Sequence, residues 1–322
     1  MKKYDVTALG ELLVDFTENG TSAQGNPLFE ANPGGAPCNV LSMLARLGKR
    51  TAFIGKVGAD MFGNMLRGAL CGAGIDTENL ISDGRYNTTL AFVHTLSDGD
   101  REFSFYRNLG ADTMLSGYEV NTEIIKNSRV FHFGTLSSTY PVSREATRRA
   151  VNAAAQNGVM ISFDPNLRES LWRSLDHARA EMIYGLSKCD ILKISDNELE
   201  FLCGKTEDYD AAMRGLMNGY KNIKVAFLTR GADGASAYYK DIIESADAFS
   251  DVSVTDTTGA GDTFLGCALS RILDYGIDSL DRKILKETLI FANAGAALVT
   301  TKKGAFKSMP SKDEIYALAA GR

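Results

Sequence analysis

An acid set in a glycine-rich turn is the feature of this sequence that most directly suggests chemistry. In Val254-Thr255-Asp256-Thr257-Thr258-Gly259-Ala260-Gly261-Asp262-Thr263-Phe264-Leu265-Gly266, small residues run straight into an apolar-periodic stretch, which predicts a helix starting at 259–262. Free N–H groups and the positive end of the helix dipole make such a start an anion site, and Gly259, Ala260 and Gly261 let an anion approach the backbone closely. Capping by Asp256 or Thr258, with the glycines serving only a turn, accounts for the helix start equally well. Asp262 separates the two readings. A carboxylate placed where an anion binds is costly unless it works, and there it can accept a proton from an attacking hydroxyl.

A second cluster, Asn32-Pro33-Gly34-Gly35-Ala36-Pro37-Cys38-Asn39-Val40, leads into another apolar-periodic stretch. A plain turn explains Gly34 and Gly35 as well as an N–H cradle does, and Asn39 points an amide toward the same helix mouth. Two such helix starts can converge at the carboxyl edge of one sheet, where a phosphate donor and a polar acceptor would meet.

Other candidates are weak alone. Asp15 lies in an alternating strand, where a solvent-facing carboxylate is the ordinary outcome. Arg107 and Arg168 each suit a surface ion pair. Asn197 and Glu200 stand one helical turn apart after a strand, a spacing suited either to orienting Mg²⁺ through water or to plain helix capping. Thr229-Arg230-Gly231-Ala232-Asp233-Gly234 follows another strand and fits a nucleotide-phosphate cradle or a tight turn. Two phosphate motifs fail: Gly204-Lys205-Thr206 lacks the first glycine of a P-loop, where Leu199 stands, and Phe264 occupies the third glycine position of a dinucleotide-binding turn.

The elements that must position these residues alternate. Short apolar runs at 5–9, 51–57, 130–133, 159–163, 191–194 and 225–229 are separated by helical spacing at 36–47, 61–73, 143–155 and 175–186. That pattern predicts an α/β fold, a doubly wound and mostly parallel sheet flanked by helices. Residues 11–31 and 88–108 break it with alternating runs at 12–16, 89–95 and 102–106, the last two joined by the turn Ser97-Asp98-Gly99-Asp100. They predict a small β-sheet lid, too thin to bury a core alone, on a single domain spanning 1–322.

Composition narrows the function. The 322 residues are 44% hydrophobic and 23% charged, ordinary for a globular chain, and a net charge of -5 argues against nucleic-acid binding. Five scattered cysteines without CxxC spacing predict a reduced, cytoplasmic protein without a zinc site. Three histidines, none spaced HExxH, leave little for histidine-based catalysis. Asp5, Glu11 and Asp15 interrupt any apolar export signal, and no run reaches the roughly 18 apolar residues of a membrane span.

In this order the motifs resemble the PfkB (ribokinase-like) family of carbohydrate kinases over essentially the whole chain. Gly34-Gly35-Ala36-Pro37-Cys38-Asn39 with Gly55-Lys56-Val57-Gly58-Ala59-Asp60-Met61-Phe62-Gly63 is similar to the N-terminal signature of that family, and the 256–264 segment to its C-terminal one. The resemblance implies an ATP-dependent kinase of a small sugar, with Asp262 as base and the 259–262 amides as anion hole. It implies Mg²⁺ positioned by Asn197 and Glu200, sugar contacts from Asp15, Gly34, Gly35 and Asn39, and ATP contacts from Thr229, Gly231, Gly234 and Asn293. Family members often bind a monovalent cation such as K⁺, and Asp256 and Thr258 match part of that site. Gly-Gly-Ala-Pro together with the segments around Arg107 and Arg168 is similar to fructokinases and to 2-keto-3-deoxygluconate kinases, in which both arginines face the acceptor. Cys38 departs from the small residue usual there. The expected reaction is phosphorylation of the 6-hydroxyl of fructose. The rivals are a 2-keto-3-deoxygluconate kinase, a nucleoside or aminoimidazole riboside kinase, and a catalytically silent sugar sensor. Exposed edge strands on the lid predict a homodimer formed through it.

Overall fold

Successive side chains of a strand buried on both faces must enter different cores. Val225 and Phe227 join one hydrophobic cluster, while Ala226 and Leu228 join the other. The same division along the neighbouring strands makes a three-layer α/β structure. A computed structural model describes residues 2–95 and 101–321.

The large sheet has nine strands: β1 (Tyr4–Leu9), β4 (Thr51–Gly58), β5 (Asp76–Asp83), β8 (Ser128–Phe133), β9 (Met160–Phe163), β10 (Ile191–Ser195), β11 (Val225–Thr229), β12 (Ala235–Tyr239) and β13 (Ile242–Ala246). Their order is β13-β12-β11-β10-β9-β8-β1-β4-β5, parallel except for the antiparallel β12 and β13 at one edge. The chain leaves β1 toward β4 and β5, then returns to β8 on the other side of β1, so a topological switch point lies beside β1.

One face carries α1 (Ala36–Arg46), α2 (Met61–Gly72), α8 (Ala260–Tyr275), α9 (Arg282–Val299) and α10 (Lys312–Ala319). The other carries α3 (Thr122–Lys126), α4 (Pro141–Gln156), α5 (Leu175–Leu186), α6 (Asp196–Cys203) and α7 (Tyr209–Gly219). Gly266 sits where α8 crosses α1. A β-carbon there would stand 2.7 Å from Met43 Cβ, so the glycine sets how closely the two helices approach.

A second sheet holds β2 (Leu13–Thr21), β3 (Pro27–Gly34), β6 (Leu90–Thr95) and β7 (Arg101–Tyr106), in the order β3-β2-β6-β7. Its first excursion is itself a hairpin and runs on to Gly34, past the expected end at 31, because the alternating residues continue to the start of α1. The expected turn at Ser97–Asp100 lies outside the described residues. Pairing fixes the faces: Asp15 opposes Ala91, which opposes Phe105, on the side toward the large sheet. Phe16 and Phe92 oppose each other on the reverse side and stack at 4.9 Å.

Candidate active site

The carboxyl ends of β1, β9, β10 and β11, the underside of the small sheet and the starts of α1 and α8 enclose a cavity of about 470 Å³. This is the size range of small-molecule sites. Asp262 lies in the first turn of α8, 8% exposed, and its Oδ2 accepts the Asn39 side-chain amide at 2.8 Å. The two glycine-led helix starts therefore meet in space. Asn166 donates a longer bond, 3.4 Å, to the other Asp262 oxygen. Burial pushes the Asp262 pKa up, against the pull of the Asn39 bond and of Lys193 and Arg168.

Helix α8 has no side-chain cap. Its N-cap, Gly259, is left-handed at φ 77°. Helix geometry leaves the Gly261 and Asp262 N–H groups without intrahelical acceptors, and both residues line the cavity. Asp256 serves the turn before it: its carboxylate accepts the amides of Thr258 at 2.8 Å and Gly304 at 3.0 Å, binding the turn to the loop after α9. Of this pair Thr258 borders the cavity.

Asp15 lines the opposite wall. A β-carbon at Gly34 would collide with its carboxylate, so that glycine makes room for the acid. Gly35, at φ 121°, turns the chain against the Glu11 backbone into α1. Burial raises Asp15 to about 7, only partly offset by Arg168 across the cavity. Arg168 is exposed and borders the space.

Arg107 does not reach the cavity. Its guanidinium is buried against Asp112, with Nε at 2.8 Å and Nη2 at 2.6 Å, and donates to Thr139 and to the Leu136 carbonyl. A carboxylate five residues along the chain captures it, so Arg107 fastens the end of β7 and does not face an acceptor. Asn197 and Glu200 also point elsewhere: Asn197 is exposed and Glu200 accepts the Tyr209 hydroxyl at 2.8 Å. The residues at the start of α6 that line the cavity are its N-cap, Ser195, and Glu198. They form a capping box, which folds Glu198 back over the helix start, while 100° per residue turns positions 197 and 200 away.

On the far side, Thr229 borders the cavity at the end of β11. Gly231 (φ 51°) and Gly234 (φ 83°) shape the short turn that follows. Asn293 on α9 donates to the carbonyls of Ala246 and Asp247, the same segment that abuts Gly234, so these three residues share a neighbourhood beyond the cavity rim.

Four residues not singled out from sequence belong to the site. Glu11 follows β1; its Oε1 accepts the Ala36 amide at 2.8 Å, capping α1 from a distance, and burial raises it to about 7. Lys193 Nζ lies 3.1 Å from Asp164 Oδ2, both buried. Asn166 and Glu198 complete the set. A lysine inside the apolar run Ile191–Ser195 was the signal that could have exposed Lys193. Cys38 is buried, its thiol pushed up by burial, and it plays no visible part beside the Glu11 carbonyl.

The donors suit a divalent ion held mainly by a ligand. Among the described residues no group of three or more His, Cys, Asp or Glu could cage a metal, whereas Glu198 offers one carboxylate at the cavity edge. Mg²⁺ typically binds this way, through one or two carboxylates, water and phosphate oxygens.

The model of the family described as pfkB family carbohydrate kinase matches residues 3–312. A probable fructokinase-2 of Arabidopsis thaliana is 43% identical over 96% of this chain and 94% of its own. The fructokinase of Xylella fastidiosa with bound ATP superposes with a TM-score of 0.88 at 31% identity, covering 100% of this chain and 99% of that one. A putative ribokinase II from E. coli in complex with ATP and Mg²⁺ gives 0.87 at 27%, covering 99% and 100%. The fructokinase of Vibrio cholerae O395 in its fructose-, ADP- and calcium-bound form gives 0.87 at 29%, covering 98% and 99%.

Proposed function

This chain belongs to the pfkB family of carbohydrate kinases, and from that membership we propose that it phosphorylates fructose with ATP at the 6-hydroxyl. It is a phosphotransferase acting on a sugar hydroxyl. The observation that carries the reading is the Asp262 carboxylate, buried at an uncapped helix start and held by Asn39 at the meeting of the two halves of the cavity.

The sugar lies between Asp15 and Asn39, with Gly34 and Gly35 shaping the wall, and ATP enters from the side of Thr229, Gly231, Gly234 and Asn293. As the hydroxyl oxygen bonds to the γ-phosphorus, its proton passes to Asp262. The bond from that phosphorus to the bridging oxygen breaks, and ADP leaves with the electron pair. Charge building on the transferring group faces the amides of Gly261 and Asp262. Glu198 is the carboxylate placed to orient Mg²⁺, which when bound neutralises phosphate charge. A monovalent cation would lie by the turn that Asp256 and Thr258 organise; rates in potassium against tetramethylammonium chloride test it.

Asp15 and Glu11 make the acceptor half acidic, which suits a neutral polyol. A keto-acid acceptor loses one of its two expected arginines, because Arg107 is spent on Asp112. The small sheet acts as a lid that excludes water, and its outer face, with Phe29 and Tyr106 packed against Phe92 yet largely exposed, pairs with the same face of a second copy. Light scattering of wild type against Phe92→Asp tests that dimer. Among the described residues no helix is long and apolar enough to cross a membrane, and the scattered free cysteines suit a cytoplasmic protein.

The deciding experiment couples ADP release to a spectroscopic signal across fructose, tagatose, ribose, 2-keto-3-deoxygluconate and nucleosides, with the product position read by NMR. Fructose should give the highest kcat/KM and fructose 6-phosphate. Preference for the keto acid would replace the acceptor, and sugar binding without ADP release would make the chain a sensor.

A further inference from the structure

We infer that Lys193 is a catalytic cation whose ammonium contacts the transferring phosphoryl group. This rests on the phosphoryl-transfer reading above. Lys193 lies in the middle of β10, 7% exposed, and lines the cavity with Asn166, Glu198 and the 259–262 turn. Its Nζ lies 3.2 Å and 3.1 Å from the two oxygens of Asp164. An ammonium has three donors. Asp164 engages it from one side, and among the described residues no other hydrogen-bond acceptor is found for it.

On the remaining side the nitrogen faces Gly261. A β-carbon there would lie 3.1 Å from Nζ, tighter than ordinary packing, so the glycine that opens the helix start also leaves the lysine room. The positive charge and the free amides of α8 thus converge on one spot. Burial works against the charge on Lys193, but the carboxylates of Asp164, Glu198 and Asp262 outweigh it and raise its pKa, which favours the ammonium form.

A purely structural role accounts poorly for this arrangement. Burying an ion pair gains little or nothing over an apolar pair of the same shape. Here Lys193 lines the cavity beside the expected base, with its ammonium turned to the place where negative charge develops, and Asp164 is buried behind it. Glu198, whose oxygens accept the backbone amides of Leu167 at 2.8 Å and Ser195 at 2.9 Å, adds negative charge there, so Lys193 is the cation the chain itself brings to that point.

The test compares wild type, Lys193→Met and the double variant Lys193→Met/Asp164→Asn, the last removing both charges so that no carboxylate is left buried alone. Titration calorimetry measures fructose, ADP with Mg²⁺, and ADP with Mg²⁺, aluminium fluoride and fructose together. Both variants should bind fructose and ADP within about twofold of wild type, yet lose about 10²-fold in kcat and in affinity for the aluminium fluoride complex, as for removal of one oxyanion donor. Aminoethylation of Lys193→Cys, with identically treated wild type as control, should restore most of the rate.

Turnover within threefold of wild type in either variant overturns the inference. So does parallel loss of all three affinities, which marks a structural role. Should the variants not fold, a crystal structure of wild type with ADP, Mg²⁺, aluminium fluoride and fructose decides: Nζ within hydrogen-bond distance of a fluoride supports the contact, and Nζ beyond 4 Å refutes it. Wild type that releases no ADP with any sugar defeats the kinase reading instead.

Discussion

The Asn39 amide donates to the Asp262 carboxylate at 2.8 Å across 223 residues of sequence, and the bond joins the first turns of two helices on the same face of the sheet. Both residues are nearly inaccessible to solvent. Asn39 Oδ1 is itself buried and accepts no hydrogen bond from the described residues.

Replacing Asp262 with Ala should lower kcat by roughly 10²–10⁴, the usual contribution of a positioned base. Fructose affinity and the melting temperature should stay close to wild type. Stopped assays together with calorimetry check this, and turnover near wild type would remove Asp262 from the role of base.

Asn39→Ala should shift the pH profile as well as the rate. Its hydrogen bond favours the ionised carboxylate, so losing it raises the Asp262 pKa further. The acid limb of kcat/KM should then move to higher pH. An unmoved limb would show that Asn39 does not tune the base.

Asp15 should couple sugar binding and stability to pH with opposite signs. Burial raises its pKa to about 7, so below that pH the carboxylate gains a proton and loses acceptor capacity, and the KM for fructose should rise. Folding runs the other way. A carboxyl whose folded pKa exceeds its unfolded one stabilises the fold below the unfolded value and loses that contribution as pH rises through the folded one. Asp15→Asn should therefore flatten the KM profile and raise the melting temperature of the ligand-free protein more at pH 8 than at pH 5.

Arg107→Met should damage the fold more than the choice of acceptor. It leaves Asp112 buried without its cation, a change that costs about 3–5 kcal/mol. Pairing it with Asp112→Leu should recover much of the loss in a denaturant titration. A single variant of wild-type stability with altered sugar preference would return Arg107 to the acceptor site.

Glu198→Gln should raise the Mg²⁺ concentration needed for half-maximal rate, while Glu200→Gln should leave it unchanged. The cavity holds the first carboxylate, and Tyr209 holds the second.

The alternation of apolar runs was enough to specify a doubly wound sheet, because period 2 and period 3.6 are local properties of a chain. The small residues around Asp262 and Asn39 were likewise legible, since a helix start must be written into its own first turn. Local spacing misled where a side chain had a choice of partner. Asn197 and Glu200 sit at helical spacing, yet the capping box on Ser195 selects Glu198. Arg107 follows a strand toward the site, yet Asp112 intercepts it.

By itself, the sequence determined the fold class, the two helix starts and the identity of the acid between them. Only the tertiary structure decided which charges share the cavity. The Lys193–Asp164 pair joins β10 to the residue just after β9, 29 positions away in sequence, and Glu11 caps a helix that begins 25 residues later. Such pairings depend on strand order and helix packing, including the close crossing at Gly266. No local pattern of residues records the distance between segments that meet only after folding.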